Sequence, residues 1–177
     1  MPHAYSPPPT PTPRSAQDVI KALHLSPHPE KGYYIQTFKD DPAASSSQSK
    51  EPRSPSTCIY YLLEGDQGVS HWHRVTDAIE VWHFYAGAPL RLSLSWNDGE
   101  PVRDQILGND LWSGQRPQIV IDRNEWQHAR SLGDWTLVGC TVAPGFEFTS
   151  FEMAEPGWEP KGAEDGANDS EDSGLAA

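Results

Sequence analysis

His71, His73 and Glu80 could act together in one chemistry; all three lie in the stretch GDQGVSHWHRVTDAIEVWHFYAG (residues 65–87). On a strand, positions two apart point to the same face, so His71 and His73 would present both imidazoles together. Beyond a turn at Thr76-Asp77-Ala78, Glu80, Trp82 and Phe84 share one face, and Val81, His83 and Tyr85 share the other. If the histidine face and the glutamate face both look into a barrel, two imidazoles and a carboxylate converge. That donor set suits iron, and zinc or manganese too. The same groups without a metal can move protons: His73 abstracts one next to a carbonyl, Glu80 orients the imidazole, and a tyrosine returns a proton.

The elements that must position them are short strands. Alternation and turn residues predict strands at 58–64, 69–75, 80–86, 90–96, 104–107, 118–121, 125–130, 136–142 and 147–153, with an earlier one beginning at Tyr33. Leu90, Leu92, Leu94 and Trp96 alternate with polar residues, and Asn97-Asp98-Gly99 marks a hairpin tip. Ahead of them, Ser15 with Asp18 three positions on caps a short helix, with Val19, Ile20, Leu23 and Leu25 facing a core. His24 is a surface histidine at its end. Many short strands behind one short helix predict an all-β sandwich or barrel.

Composition divides the chain. Six of the seven tryptophans fall between Trp72 and Trp135, so the middle is globular. Residues 1–14 are a proline-rich leader, 41–56 a mobile low-complexity loop, and 155–177 an acidic tail; the two ends predict disorder. The formal charge of −12 excludes a nucleic-acid binder, because phosphates require clustered Lys and Arg. The two cysteines, Cys58 and Cys140, sit in apolar runs, which predicts buried thiols rather than a disulfide framework. Without a secretory signal or an apolar run of membrane-spanning length, the expected location is cytoplasmic, with nuclear equally compatible.

Spacing then points to a family. A glycine, five residues, His-x-His, a glutamate, six residues and a glycine resemble the first cupin motif, and Gly65, His71, His73, Glu80 and Gly87 fill it. Six residues separate His73 from Glu80, where that motif has three or four. The blocks PHPEKGYY (27–34), TCIYYLLEG (57–65), WHRV (72–75), EVWHFYAGAPL (80–90), LGNDL (107–111), GQRPQIVI (114–121), EWQHA (125–129) and LVGCTVAPGFEFTSFEM (137–153) follow in the order of the Cupin_5 (DUF985) family. The resemblance covers residues 15–154. It implies a single-domain double-stranded β-helix, that is, a jelly-roll cupin barrel with a small-molecule site inside and pairing into a homodimer.

The resemblance also locates the second cupin motif. Its usual ligand position falls on Gln127, while His128 next door points to the opposite side of a strand. A divalent transition metal (Fe, Mn or Zn) would therefore rely on His71, His73, Glu80 and Gln127. Glu80 inside a barrel needs a partner, and Arg74, His73 or a metal could serve. Tyr61, Trp82, Phe84 and Trp126 read as core or as a platform for a flat ligand at the barrel mouth. Three functions remain open at this point. One is an RmlC-like isomerase or epimerase acting on a carbohydrate-like or polar ligand. Another is a metal-dependent dioxygenase or lyase, and the third is a non-catalytic binding or scaffold protein.

Overall fold

Leu90, Leu92, Leu94 and Leu107 are completely or almost completely withdrawn from water, and the architecture follows from what covers them. A computed structural model describes residues 14–41 and 53–163. The strands are β1 (Ser26–Pro27), β2 (Tyr33–Lys39), β3 (Thr57–Glu64), β4 (His73–Val75), β5 (Ile79–Gly87), β6 (Leu90–Ser95), β7 (Arg103–Leu107), β8 (Gln118–Ile121), β9 (Trp126–Ser131), β10 (Trp135–Ala143) and β11 (Phe151–Met153). They form a six-stranded sheet, β1-β2-β3-β10-β5-β8, and a five-stranded sheet, β11-β4-β9-β6-β7. Every pair of these strands is antiparallel. Chain neighbours such as β4 and β5 lie in opposite sheets, which is the jelly-roll arrangement anticipated from the sequence.

The two sheets face each other across a core of Tyr61, Leu63, Trp82, the β6 leucines, Ile119, Ile121, Ala129 and Val138. Each fully buried aliphatic side chain here contributes about 1.5–3 kcal/mol. At one end of the barrel these side chains fill the space between the sheets, while at the other they leave a cavity. A second apolar cluster lies outside the larger sheet. There α1 (Ala16–Leu23) lays Val19, Ile20 and Leu23 over Leu62, with Leu25 and Ala16 buried. Ser15 and Asp18 close the capping box, and exposed His24 ends the helix at φ 55°.

Three expectations are corrected. The strand expected over 69–75 contracts to His73–Val75, because Gly65–Gln67 form a 3-10 turn and the chain up to Trp72 runs irregularly. The strand expected over 147–153 begins with another 3-10 turn, Phe148–Ser150, and pairs only through Phe151–Met153. Order also extends past Ala154 to Ala163. Trp158 packs on Trp126 with ring centroids 4.5 Å apart, Trp72 Nε1 donates to Glu159 at 2.9 Å, and Pro160 is buried. The proline-rich leader up to Pro13, residues 42–52 of the loop and the acidic stretch from 164 onward lie outside the described residues.

Candidate functional site

One buried carboxyl of the cavity belongs to Glu30, which the hairpin joining β1 to β2 carries inward. Ser26 and Pro27 pair with Tyr34 and Tyr33, and the His28 N–H donates to the Gly32 carbonyl at 2.9 Å. The turn closes through Lys31 at φ 83° and Gly32 at φ 72°. A Cβ on Gly32 would come within 2.5 Å of the Leu62 carbonyl oxygen, so glycine is what lets the hairpin press against β3. The Tyr61 hydroxyl donates to the Lys31 carbonyl at 2.9 Å and ties the turn down from below. Glu30 is thereby buried, with His28 beside it.

His73 enters from the smaller sheet. Its Nδ1 lies 3.0 Å from the His71 carbonyl oxygen, which can only accept, so Nδ1 carries the hydrogen. Nε2 then faces the Glu30 Oε2 at 3.1 Å. One proton between these atoms satisfies both, either on the carboxyl or on the imidazole. His28 is different: the Glu30 backbone N–H donates to its Nδ1 at 3.3 Å, so that nitrogen carries a lone pair and has no hydrogen to offer the carboxylate 3.7 Å away. The 3.7 Å approach is therefore a contact with neutral imidazole rather than an ion pair.

Glu80 projects from β5 and is held by Gln127 of β9, whose Nε2 donates at 2.6 Å. Both side chains are buried. The Gln127 Oε1 and the Trp82 Nε1 are buried with no hydrogen-bond partner. His28, Glu30, His73 and Glu80 border a cavity of about 300 Å³ walled by aromatic rings, among them Tyr34, Trp82, Phe146, Phe148 and Phe151, with Gln127 behind Glu80.

Desolvation governs the charges. Burial pushes the Glu30 carboxyl up to about 6, against the opposing pull of His28. Burial likewise raises Glu80, opposed by His73 and by the Gln127 hydrogen bond. It lowers both His73 and His28, and in each case a neighbouring glutamate resists. Tyr61 and Cys140 are driven well above their ordinary values, again by burial first, so phenol and thiol stay protonated. Burial thus pushes the acids of the site up and both imidazoles down, toward their uncharged forms.

Of the residues singled out from the sequence, His73, Glu80, Tyr61 and Trp82 line the cavity, and Gln127 supports Glu80. Phe84 does not line the cavity; it is half-buried and packs against the edge of the apolar core. Trp126 is on the far side of the smaller sheet, because the alternation that sends Gln127 inward sends Trp126 and His128 outward. His83, as expected, faces outward, where its Nε2 meets Thr141 Oγ1 at 3.2 Å. His71 precedes β4, does not line the cavity, and contributes its carbonyl rather than its imidazole. The carboxylate at hydrogen-bond distance of His73 is Glu30, not Glu80.

His28 and Glu30 are the residues that sequence reasoning missed. They sit inside the block PHPEKGYY, where a His-x-Glu pair next to Lys31 and Gly32 reads as solvent-facing loop. Two titratable side chains within a block that resembles a family were the available signal.

The donors anticipated for a divalent transition metal do not fit one here. His71 is absent from the cavity, both ring nitrogens of His73 are engaged, and Gln127 turns its NH₂ toward Glu80. Among the described residues no cluster of three or more His, Cys, Asp or Glu side chains is arranged around a common ion position.

Two antiparallel sheets rolled around a cavity that opens at one end define a cupin, a double-stranded β-helix. Residues 17–154 match Cupin_5, described as Cupin superfamily (DUF985), and the chain belongs to that family. The X-ray structure of protein SO0799 from Shewanella oneidensis is 35% identical and superposes with a TM-score of 0.71, covering 80% of this chain and 85% of that one. A hypothetical protein from Leishmania major is 28% identical with a TM-score of 0.68, covering 78% and 86% respectively. An uncharacterized protein of Saccharomyces cerevisiae is 28% identical over 150 residues, 77% of this chain and 73% of its own length.

Proposed function

We propose that the cavity binds a small polar organic ligand and moves a proton on it, as an isomerase or epimerase would. The observation that carries this reading is the His73–Glu30 pair, 3.1 Å apart in a buried, aromatic-walled cavity, with the imidazole tautomer set by the His71 carbonyl. Paired groups shifted toward neutrality are how a protein runs acid and base chemistry near pH 7.

Protonated Glu30 donates to a carbonyl oxygen of the ligand, which releases the lone pair of His73 Nε2. That nitrogen takes the proton from the adjacent carbon, and the ligand becomes an enol with no change of net charge. Imidazolium and carboxylate then form an ion pair, which Glu80 further stabilises. Running the step backward onto the other face or the other carbon isomerises the ligand and restores both residues. A general acid near pH 6 lies in the range such a transfer requires. Tyr61 is not the acid here, since its hydroxyl is committed to the Lys31 carbonyl.

The test is proton–deuterium exchange, followed by NMR in D₂O, for a panel of small enolisable ketones with the full chain. Wash-in at the carbon next to the carbonyl, abolished in His73→Ala and Glu30→Gln, supports the reading. Exchange undiminished in His73→Ala would overturn it. Ligands that bind without exchange would make the protein a non-catalytic binder.

A further inference from the structure

The cavity holds two buried carboxyls, and no lysine or arginine is among the described residues that line it. The guanidinium of Arg53, beside Phe146 of the wall, is spent on Asp77 and on the Gly145 carbonyl. The two imidazoles do not supply the missing positive charge. His28 accepts a hydrogen bond at Nδ1, and burial holds both rings below their ordinary range. Glu30 is faced by His28 from its own hairpin, Tyr61 from β3, His73 from β4 and Glu80 from β5. None of these is a permanent cation.

One further atom points to an occupant. Trp82 Nε1–H is a donor without an acceptor in the cavity wall, while the other orphaned atom, Gln127 Oε1, lies behind Glu80 and outside the lining. Both residues are essentially inaccessible to water, and a polar atom left unpaired at such a depth costs roughly 1–3 kcal/mol until something bonds to it. Glu30 and Glu80 turn carboxyl oxygens toward the interior, and the orphaned donor of the wall is the indole N–H. The remaining wall consists of aromatic faces, which stack on flat groups and attract cations. A volume of about 300 Å³ lies at the small end for ligand sites and admits one ring with its substituents.

We infer that the ligand of this site is a planar, nitrogen-rich organic cation, of amidine or aminoheterocycle type, that carries a carbonyl with an adjacent C–H and no phosphate or carboxylate. Its N–H groups meet Glu80, its carbonyl oxygen meets Glu30, and one ring acceptor receives Trp82 Nε1–H. An anionic ligand would place its charge against two acids in a low-dielectric site, where repulsion is least screened. This inference deepens the proton-transfer reading by naming what the same site selects.

The experiment uses three probes of one shape: benzamidine, benzamide and benzoate, titrated into the full chain by calorimetry. The imidazole resonances of His73 and His28 are followed in parallel by NMR. Benzamidine is expected to bind at least tenfold more tightly than benzamide, and benzoate not measurably. The preference grows from pH 5 to pH 7.5, because deprotonating Glu30 adds negative charge opposite the cation. Glu80→Gln is expected to remove most of the tenfold preference. Glu30→Gln, as a second variant, should weaken the pH dependence should the first fail to fold, with circular dichroism checking each. Benzoate binding as tightly as benzamidine with shifted His73 resonances would overturn the charge class and leave proton transfer standing. Benzamidine bound in the cavity without exchange on any ketone would do the reverse. Failure of all three probes to bind, or benzamidine binding unaffected by Glu80→Gln and Glu30→Gln alike, would overturn the inference.

Discussion

His73 and His128 occupy neighbouring strands on opposite faces of the smaller sheet, and burial lowers the pKa of both. Inside, His73 meets Glu30 at 3.1 Å and has Glu80 nearby, so a proton that arrives finds carboxylates to stabilise it. Outside, His128 lies flat on Trp72, with ring centroids 3.9 Å apart and an angle of 17°, under a lid made by Trp158 and Glu159. Its attraction to Asp104 is offset by His73 and Arg91, and burial wins, bringing it to about 4. The same kind of side chain, drawn out of water in both places, meets a carboxylate in one and an aromatic ring in the other. What separates them is the partner within reach, not the depth of burial.

Five substitutions can break or sharpen that contrast. The largest expected effect is His73→Ala, which should cut ligand exchange by roughly 10²–10⁴-fold, the usual worth of a positioned acid–base group. His128→Ala should leave exchange within about twofold in the same NMR assay. Comparable losses from both would erase the distinction.

The next effect is on pH. His128 titrates at about 4 when folded and near 6.5 when unfolded, so the unfolded chain binds more protons between those values. Stability therefore falls as pH drops through this window, by up to about 3 kcal/mol from this residue. His128→Phe should flatten the urea-derived stability difference between pH 7 and pH 4. An unchanged difference would show that the stacked ring stays hydrated.

A third change tests the lid. Trp158→Ala removes the ring packed on Trp126 and the edge presented to Trp72, and should cost about 2 kcal/mol in chemical denaturation. Exchange and ligand affinity should not move. If they do, the two faces of the sheet are coupled.

The smallest effect has the opposite sign. Glu30 titrates at about 6 when folded, above the 4.5 of an ordinary glutamate, so the folded state binds more protons between these values. Stability from this group is present below 4.5 and lost as pH rises through 6, about 1–2 kcal/mol in all. Glu30→Gln should therefore raise the melting temperature at pH 7.5 while abolishing exchange. A lower melting temperature would mean that the ion pair with His73 stabilises the fold rather than burdening it.

Much of the architecture was legible in the chain. The alternation of Leu90, Leu92 and Leu94, the capping pair Ser15 and Asp18, and the hairpin tip at Asn97 all mark local structure, and local structure is what residue patterns encode. Half of the site was legible too, because His73, Glu80 and Gln127 sit in strand-like blocks where parity assigns a face. The other half was not. Glu30 reaches the interior only because a turn at Lys31 and Gly32 folds under β3, a tertiary approach that no periodicity announces. His71 departs from expectation for a related reason: strand parity does not hold across a segment whose glycines, Gly65 and Gly68, have already ended the strand. Trp126 is excluded from the cavity by the same parity that places Gln127 inside it.

The pairing of Glu30 with His73 has a consequence for how the molecule comes to exist. Its two members belong to different sheets and are brought together by neither a common turn nor a common strand. No hairpin formed early can carry a working fragment of the site, and closing the barrel is the event that creates it. Topologies dominated by such distant partners reach the native state in milliseconds to seconds rather than microseconds. The buried pair therefore exists only once the two sheets have met, and a chain stalled short of that point holds its two halves apart.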